Sequence, residues 1–311
     1  MTGSGVWPNL PLAEWQDTCE TLHMWTQIVG KTRLALAPMV NHWWQVPLYV
    51  SARGLTTSAI PFNGRSFQVD FDFIDHNLLV RESGGGTRGI PLIARPVAEF
   101  YREYMAVLAA LGLRVKIWPV PVEVPQPIPF TEDREHASYD PEYANRFWRA
   151  LSQADRLLSD FRGQFIGKSS PVHFFWGSFD LAVTRFSGRP APEHASVPNT
   201  PDHVVREAYS HEVISARWWP GGGPVAEPAF YTYAYPEPPR FADAPVRPEG
   251  ATYSREMGEF ILPYETVRTA LSPDDAVLEF LESTYVAGAD LGGWERAALE
   301  RVPAHERERA H

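Results

Sequence analysis

Cysteine is almost missing from this chain. Cys19 is the one thiol in 311 residues, so no disulfide can form within it and a reducing compartment is the expectation. No run of about 18 apolar residues is present to span a bilayer, and the first eight residues lack the basic and apolar regions of a secretory leader. A cytoplasmic protein without a membrane partner is therefore expected. Positive charge is in short supply as well: 28 Lys and Arg stand against 38 Asp and Glu, a formal net charge of −10. Phosphate neutralisation drives nucleic-acid affinity, so nucleic acid is not expected as a partner.

Aromatic residues are plentiful, with 11 Trp, 12 Tyr and 17 Phe in a chain that is 44% hydrophobic. That composition describes an ordered globular protein with a sizeable core. Two stretches read as copies of one another. The first carries Ile28-Val29-Gly30-Lys31, His42-Trp43-Trp44 and Leu48-Tyr49-Val50-Ser51; the second carries Phe165-Ile166-Gly167-Lys168, His173-Phe174-Phe175 and Leu181-Ala182-Val183-Thr184. The expected fold class is α+β, with two tandem repeats, each an antiparallel sheet packed with helices, fused into one pseudo-symmetric body. On this reading residues 7–117 form the first repeat, 118–139 a proline-rich strap, 140–298 the second repeat, and 299–311 a polar tail expected to be disordered. His42 should then superpose on His173.

Local patterns support that order of elements. In residues 12–29, Trp15, Cys19, Leu22, Trp25 and Val29 recur at helical steps, with Gly30 as the expected stop. Phe67, Val69, Phe71 and Phe73 alternate with Gln68, Asp70 and Asp72, as in a half-buried strand. Ser83-Gly84-Gly85-Gly86 reads as a hairpin turn, and Arg95-Pro96 opens a helix. Prolines at 119, 121, 125, 127 and 129 make the strap extended. Asp140-Pro141 caps a helix that carries Trp148, and Ser272-Pro273 opens the last one. Long insertions at 188–206 and 236–251 are the loops where binding specificity commonly sits.

The residues with most chemistry lie in the second repeat. His173, His211 and Glu212 are the candidate catalytic set, and Trp176, Arg185 and Tyr233 the candidate ligand contacts. Two imidazoles and a carboxylate can serve as acid and base or hold a divalent metal. Adjacent strand residues point to opposite faces, however, so His211 and Glu212 share a pocket only across a bulge. No metal site is assigned, the cofactor is left open, and oligomeric state is not readable. His42 and the Asp75-His76 pair suit structural roles, and Asp70 with Asp72 a solvated face.

Gly30-Lys31-Thr32 and Gly167-Lys168-Ser169 lack the earlier glycine and preceding strand of a phosphate-binding loop. The zinc-protease helix motif and the nucleophile elbow are also missing around His211 and Ser178. The segments Leu22 to Lys31, Asn41-His42-Trp43-Trp44, His173 to Leu181 and Trp219-Pro220-Gly221-Gly222-Gly223 resemble those of an uncharacterised bacterial family known only as a domain of unknown function, over about residues 7–298. The resemblance implies a cytosolic bacterial protein and assigns no activity. The expected function is a small-molecule enzyme or binding protein with an aromatic-lined pocket in the second repeat; the alternative is a non-catalytic scaffold or interaction module.

Overall fold

A computed structural model describes residues 6–223 and 225–301. The fold is α+β, built on two antiparallel sheets. The first half contains α1 (Gln16–Leu36), then β1 (Tyr49–Ser51), β2 (Gly54–Thr56), β3 (Ile60–Phe62), β4 (Arg65–Asp72), β5 (Asn77–Glu82) and β6 (Thr87–Pro91), then α2 (Val97–Ala110). The second contains α3 (Pro141–Gly163), then β7 (His173–Phe175), β8 (Asp180–Pro190), α4 (Asp202–Ala208), β9 (His211–Trp219), β10 (Ala229–Tyr235), β11 (Thr252–Ser254) and β12 (Glu259–Pro263). It ends with α5 (Tyr264–Thr269), α6 (Pro273–Leu291) and α7 (Arg296–Leu299). Each half thus opens on a long helix and carries six strands before further helix, with α4 interrupting the strands of the second half.

The strand orders are β1-β2-β4-β5-β6, with β3 on β4, and β11-β12-β10-β9-β8-β7. Leu48 and Phe174 exchange backbone hydrogen bonds of 2.9 Å each, which joins the β1 edge of one sheet to the β7 edge of the other. Helix α3 packs across this junction, on β1 and β2 on one side and β8 and β9 on the other. Its start is fixed as the sequence indicates: Pro141 needs no donor in the first turn, and the Asp140 carboxylate accepts from the amides of Glu142 and Tyr143 at 2.8 and 3.1 Å.

Trp15 and Trp25 are buried, Trp25 stacked on Phe100 with ring centroids 4.6 Å apart. Trp148 is only partly buried, because its indole reaches the Ser51 carbonyl at the junction. Asp70 and Asp72 are held by Arg81 and Arg53, which makes them part of a paired polar face. Residues 299–301 are tied down, since the amides of Ile166 and Gly167 bond to the Leu299 carbonyl and the Arg301 amide to that of Gln164. The rest of the expected polar tail, 302–311, lies outside the described residues.

Two expectations drawn from the repeated motifs fail. His42 sits in a 3-10 turn (Asn41–Trp43) and His173 in a strand, so the two histidines occupy unrelated elements. Gly30 does not stop α1, which runs six residues further to Leu36. The reason is packing: a Cβ on Gly30 would stand 2.2 Å from Trp176 Cδ1. The glycine is required by the approach of that indole, and a single glycine costs a helix only about 1 kcal/mol. Gly30→Ala should therefore lose roughly 1–2 kcal/mol net, overpacking outweighing helix propensity, as read in urea melts. A more stable variant would show that the indole has room to move.

Candidate functional site

The repeated motifs meet around a cavity instead of superposing. The cavity has a volume of about 400 Å³ and lies on the face of the second sheet opposite α3. Strand parity selects what looks into it. Thr184 and Phe186 of β8, Val213 and Arg217 of β9, and Tyr233 of β10 face the cavity. The residues between them, such as Val183, Ile214, Ala216, Trp218 and Phe230, enter the core. The other walls come from far away in sequence: Trp43 and Trp44 from the turn after α1, Val122 and Glu123 from the strap, and α4 with the loop before it from the first insertion.

Beneath the cavity is a polar network. Asp180, fully buried, accepts from Arg217 Nη1 at 2.8 Å and from the Tyr231 hydroxyl at 2.6 Å through Oδ2, and from the Ser178 hydroxyl through Oδ1. Arg217 also donates to Ser215 Oγ at 3.0 Å and Tyr233 Oη at 2.9 Å, and the Tyr233 and Tyr209 hydroxyls are 2.9 Å apart. Burial pushes the Tyr231 and Tyr209 phenols well above their ordinary range. For Arg217, burial opposes the charge, but Tyr233 and Asp180 hold its pKa well above the ordinary value. Tyr231 and Tyr209 are thus hydrogen-bonding groups that stay protonated at neutral pH, beside the Arg217–Asp180 ion pair.

Two further carboxyls flank this pair. Glu259 has one buried oxygen without a partner and is pushed up to about 7 by burial, with Arg217 opposing and Asp180 adding to the rise. Glu123 is also pushed up to about 7, by burial first and then by Asp180, with Arg217 opposing. As a whole residue Glu123 is exposed, and its carboxyl lies over Gly177, with Oε1 2.1 Å from where a Cβ on that glycine would stand. A side chain at 177 would displace that carboxyl. The strap is anchored there by Gln27 of α1, whose side chain bonds both the amide and the carbonyl of Val122 at 2.8 and 2.9 Å.

Backbone strain gathers at the same place. Nine described non-glycine residues have positive φ, and four of them, His42, Trp43, Glu123 and Asn199, line the cavity. Such conformations cost of order 1–3 kcal/mol each and persist where the surroundings impose them. His42 is imposed upon in that way: its Nδ1 lies 3.1 and 3.3 Å from the carbonyls of Glu207 and Ala208, at the end of α4.

Of the six residues singled out from the sequence, Trp176 and Tyr233 line the cavity. Trp176 is buried, and its indole N–H donates to the Val46 carbonyl at 2.9 Å. His173 is on the cavity side but sealed behind the wall, with Trp44, Tyr49 and Phe175 rings 5.9, 5.6 and 5.5 Å away and both ring nitrogens without a partner. His211 does not meet it. Its ring lies 5.8 Å from that of His42, and His42 and Trp44 stand between the two. Glu212 shares the opposite face with Ser187 and bonds Ser187 Oγ at 2.8 Å and Arg189 at 2.7 Å. Arg185 also leaves the cavity, one step out of parity with Thr184, and is packed between Phe161 and Tyr285 with Glu282 at 3.5 Å.

His173, His211 and Glu212 therefore form no common site, and among the described residues no three His, Cys, Asp or Glu side chains are placed to hold a metal ion. Glu123 and Arg217 line the cavity without having been singled out from the sequence, and Tyr209 and His42, the latter expected in a structural role, line it as well. No helix among the described residues is long and apolar enough to cross a membrane. Residues 7–301 match the model of a family of unknown function (DUF5996), and the chain belongs to that family. No curated protein and no solved structure gives a match.

Proposed function

Because that family carries no assigned activity, we propose from the cavity itself that the protein takes up a small, largely uncharged molecule with an apolar body, as an enzyme or a binding protein. The carrying observation is the cavity of about 400 Å³ over the Arg217, Tyr233 and Tyr209 network. Its volume suits a small organic ligand, and a few convergent polar groups in an apolar wall are what such sites contain. Trp43, Trp44, Trp176 and Phe186 offer ring surface to the body of the ligand, while Arg217 and Tyr233 offer donors to a polar end. Asp180 already balances Arg217, so the floor does not call for an anion. The cluster of strained residues around one cavity favours a ligand role over a purely structural one. Glu123, a cavity carboxyl whose pKa of about 7 lies near neutral pH, is the group suited to exchange a proton with the ligand. A cytoplasmic setting is part of the same reading, carried by the near absence of cysteine.

A ligand-observed NMR screen with uncharged bicyclic fragments of about ten heavy atoms tests this. Binders with dissociation constants of roughly 1 mM or tighter are expected. Val204 lies on α4 in the cavity wall, and Val204→Trp should weaken those binders at least about tenfold by filling the space. A screen without binders, or binders indifferent to the filled cavity, would overturn the proposal.

A further inference from the structure

The whole chain has three lysines, Lys31, Lys116 and Lys168. Lys31 is in the core, 3% exposed, with its ammonium 5.7 Å from the Trp176 ring centroid, and Lys116 is exposed. Lys168 is also exposed, yet its surroundings are specific. Its Nζ donates to His42 Nε2 at 2.6 Å and lies 5.5 and 4.9 Å from the ring centroids of Trp44 and Phe186. His42, Trp44 and Phe186 all line the cavity, which puts the amine at its edge. Among the described residues no carboxylate forms an ion pair with it.

The tautomer of His42 follows from its partners. Carbonyl oxygens only accept, so Nδ1, facing those of Glu207 and Ala208, carries the hydrogen. Nε2 is then a lone pair directed at the Lys168 ammonium. Burial and the Lys168 charge both push the His42 pKa down, and burial pushes that of Lys168 down too. A lysine held by a carboxylate would be kept protonated; this one is held by a neutral proton acceptor.

We propose that Lys168 is a nucleophilic amine that forms an imine with a carbonyl-bearing ligand, an aldehyde or ketone, at the edge of the cavity. The ammonium passes one proton to His42 Nε2, and the freed lone pair bonds to the carbonyl carbon. The carbonyl π electrons move to oxygen, which takes a proton from the attacking nitrogen. Loss of that oxygen as water from the carbinolamine, using the proton held on His42, forms the C=N bond as a protonated imine, returns His42 to its neutral form and releases one water per imine. No oxidant or reductant is needed. The inference adds a reactive group to the proposed ligand site but does not require that a fragment lodge in the cavity.

The test is reductive trapping on the full chain with benzaldehyde and sodium cyanoborohydride at pH 7, followed by intact mass and peptide mapping. Lys116, exposed on the surface, is the internal reference. Lys168 has a proton acceptor 2.6 Å from its amine, as a positioned general base, so it should acquire the benzyl group at least about tenfold faster than Lys116. His42→Gln, verified as folded by circular dichroism, removes that base and should bring the two rates within about threefold of each other. Equal rates in the unaltered protein overturn the proposal, whether or not the variant folds, and so does a preference for Lys168 that survives in folded His42→Gln. Selective labelling of Lys168 together with a fragment screen that finds no binders would sink the cavity reading and leave this one standing.

Discussion

Asp180→Ala is expected to cost about 3–5 kcal/mol of stability in urea melts, the range found when one member of a buried ion pair is removed and the other is left uncompensated. Asp180 is fully buried and the Arg217 side chain is 17% exposed. The carboxylate uses both oxygens, one for Arg217 and Tyr231 and the other for Ser178. Its loss strands a guanidinium under an apolar cavity and removes partners from two hydroxyls. Tyr231→Phe, which leaves the pair intact, should cost only about 0.5–1.5 kcal/mol. Adding Arg217→Leu to Asp180→Ala should recover much of the loss, because the charge that needed a partner has gone. A single-variant cost below about 1 kcal/mol would show that Arg217 turns to solvent, and the proposed polar end of the ligand site would lose its anchor.

That network shows where sequence reading reached and where it stopped. The caps at Asp140-Pro141 and Ser272-Pro273, the alternation at Phe67 to Phe73 and the helical stripe from Trp15 to Val29 are local signals, and each marks an observed element. The α+β class with two sheets follows from their order. The site depends on which strands pair and which face they turn, and neither is local. Arg185 and Asp180 are five positions apart on one strand, so odd spacing alone puts them on opposite faces. Applied to β8, that parity removes Arg185 from the pocket; applied to β9 and β10, it puts Arg217 beside Tyr233. Glu123 had no such signal. It lies in a proline-rich strap without periodicity, and the strap is held at the cavity by Gln27 of α1, distant in sequence.

The Gly-Lys and His-aromatic motifs misled for a related reason. Similarity between the two stretches suggested equivalent positions, whereas the structure makes them complementary. Gly30 opens space for Trp176, which follows the second histidine motif, and His42 receives the proton donor of Lys168 from the second Gly-Lys. Residues that must touch across a junction are under joint constraint, and such constraint can leave similar short strings without a shared place in the fold.

His173 gives the second large effect, and its sign is opposite to that of the raised carboxyl Glu259 on the same sheet. The imidazole is 1% exposed, and burial, followed by the charges of Arg33 and Arg162, lowers its pKa to about 3. In the unfolded chain a histidine titrates near 6.5. Above that value both states hold it neutral and its contribution to stability is complete. As the pH falls from 6.5 towards 3 the unfolded state binds a proton that the folded state does not, so stability is lost at about 1.4 kcal/mol per unit. Glu259, raised to about 7, works the other way, because its folded form binds the proton first. A plain acid titration of stability therefore mixes opposing slopes, and the informative quantity is a difference. Relative to the unaltered protein, His173→Leu should gain about 3 kcal/mol between pH 7.5 and pH 4.5, measured by urea melts at both values. A difference that stays flat would mean that the buried ring accepts a proton in the folded state, which requires a partner for one of its nitrogens and would return His173 to the list of groups able to act on a ligand.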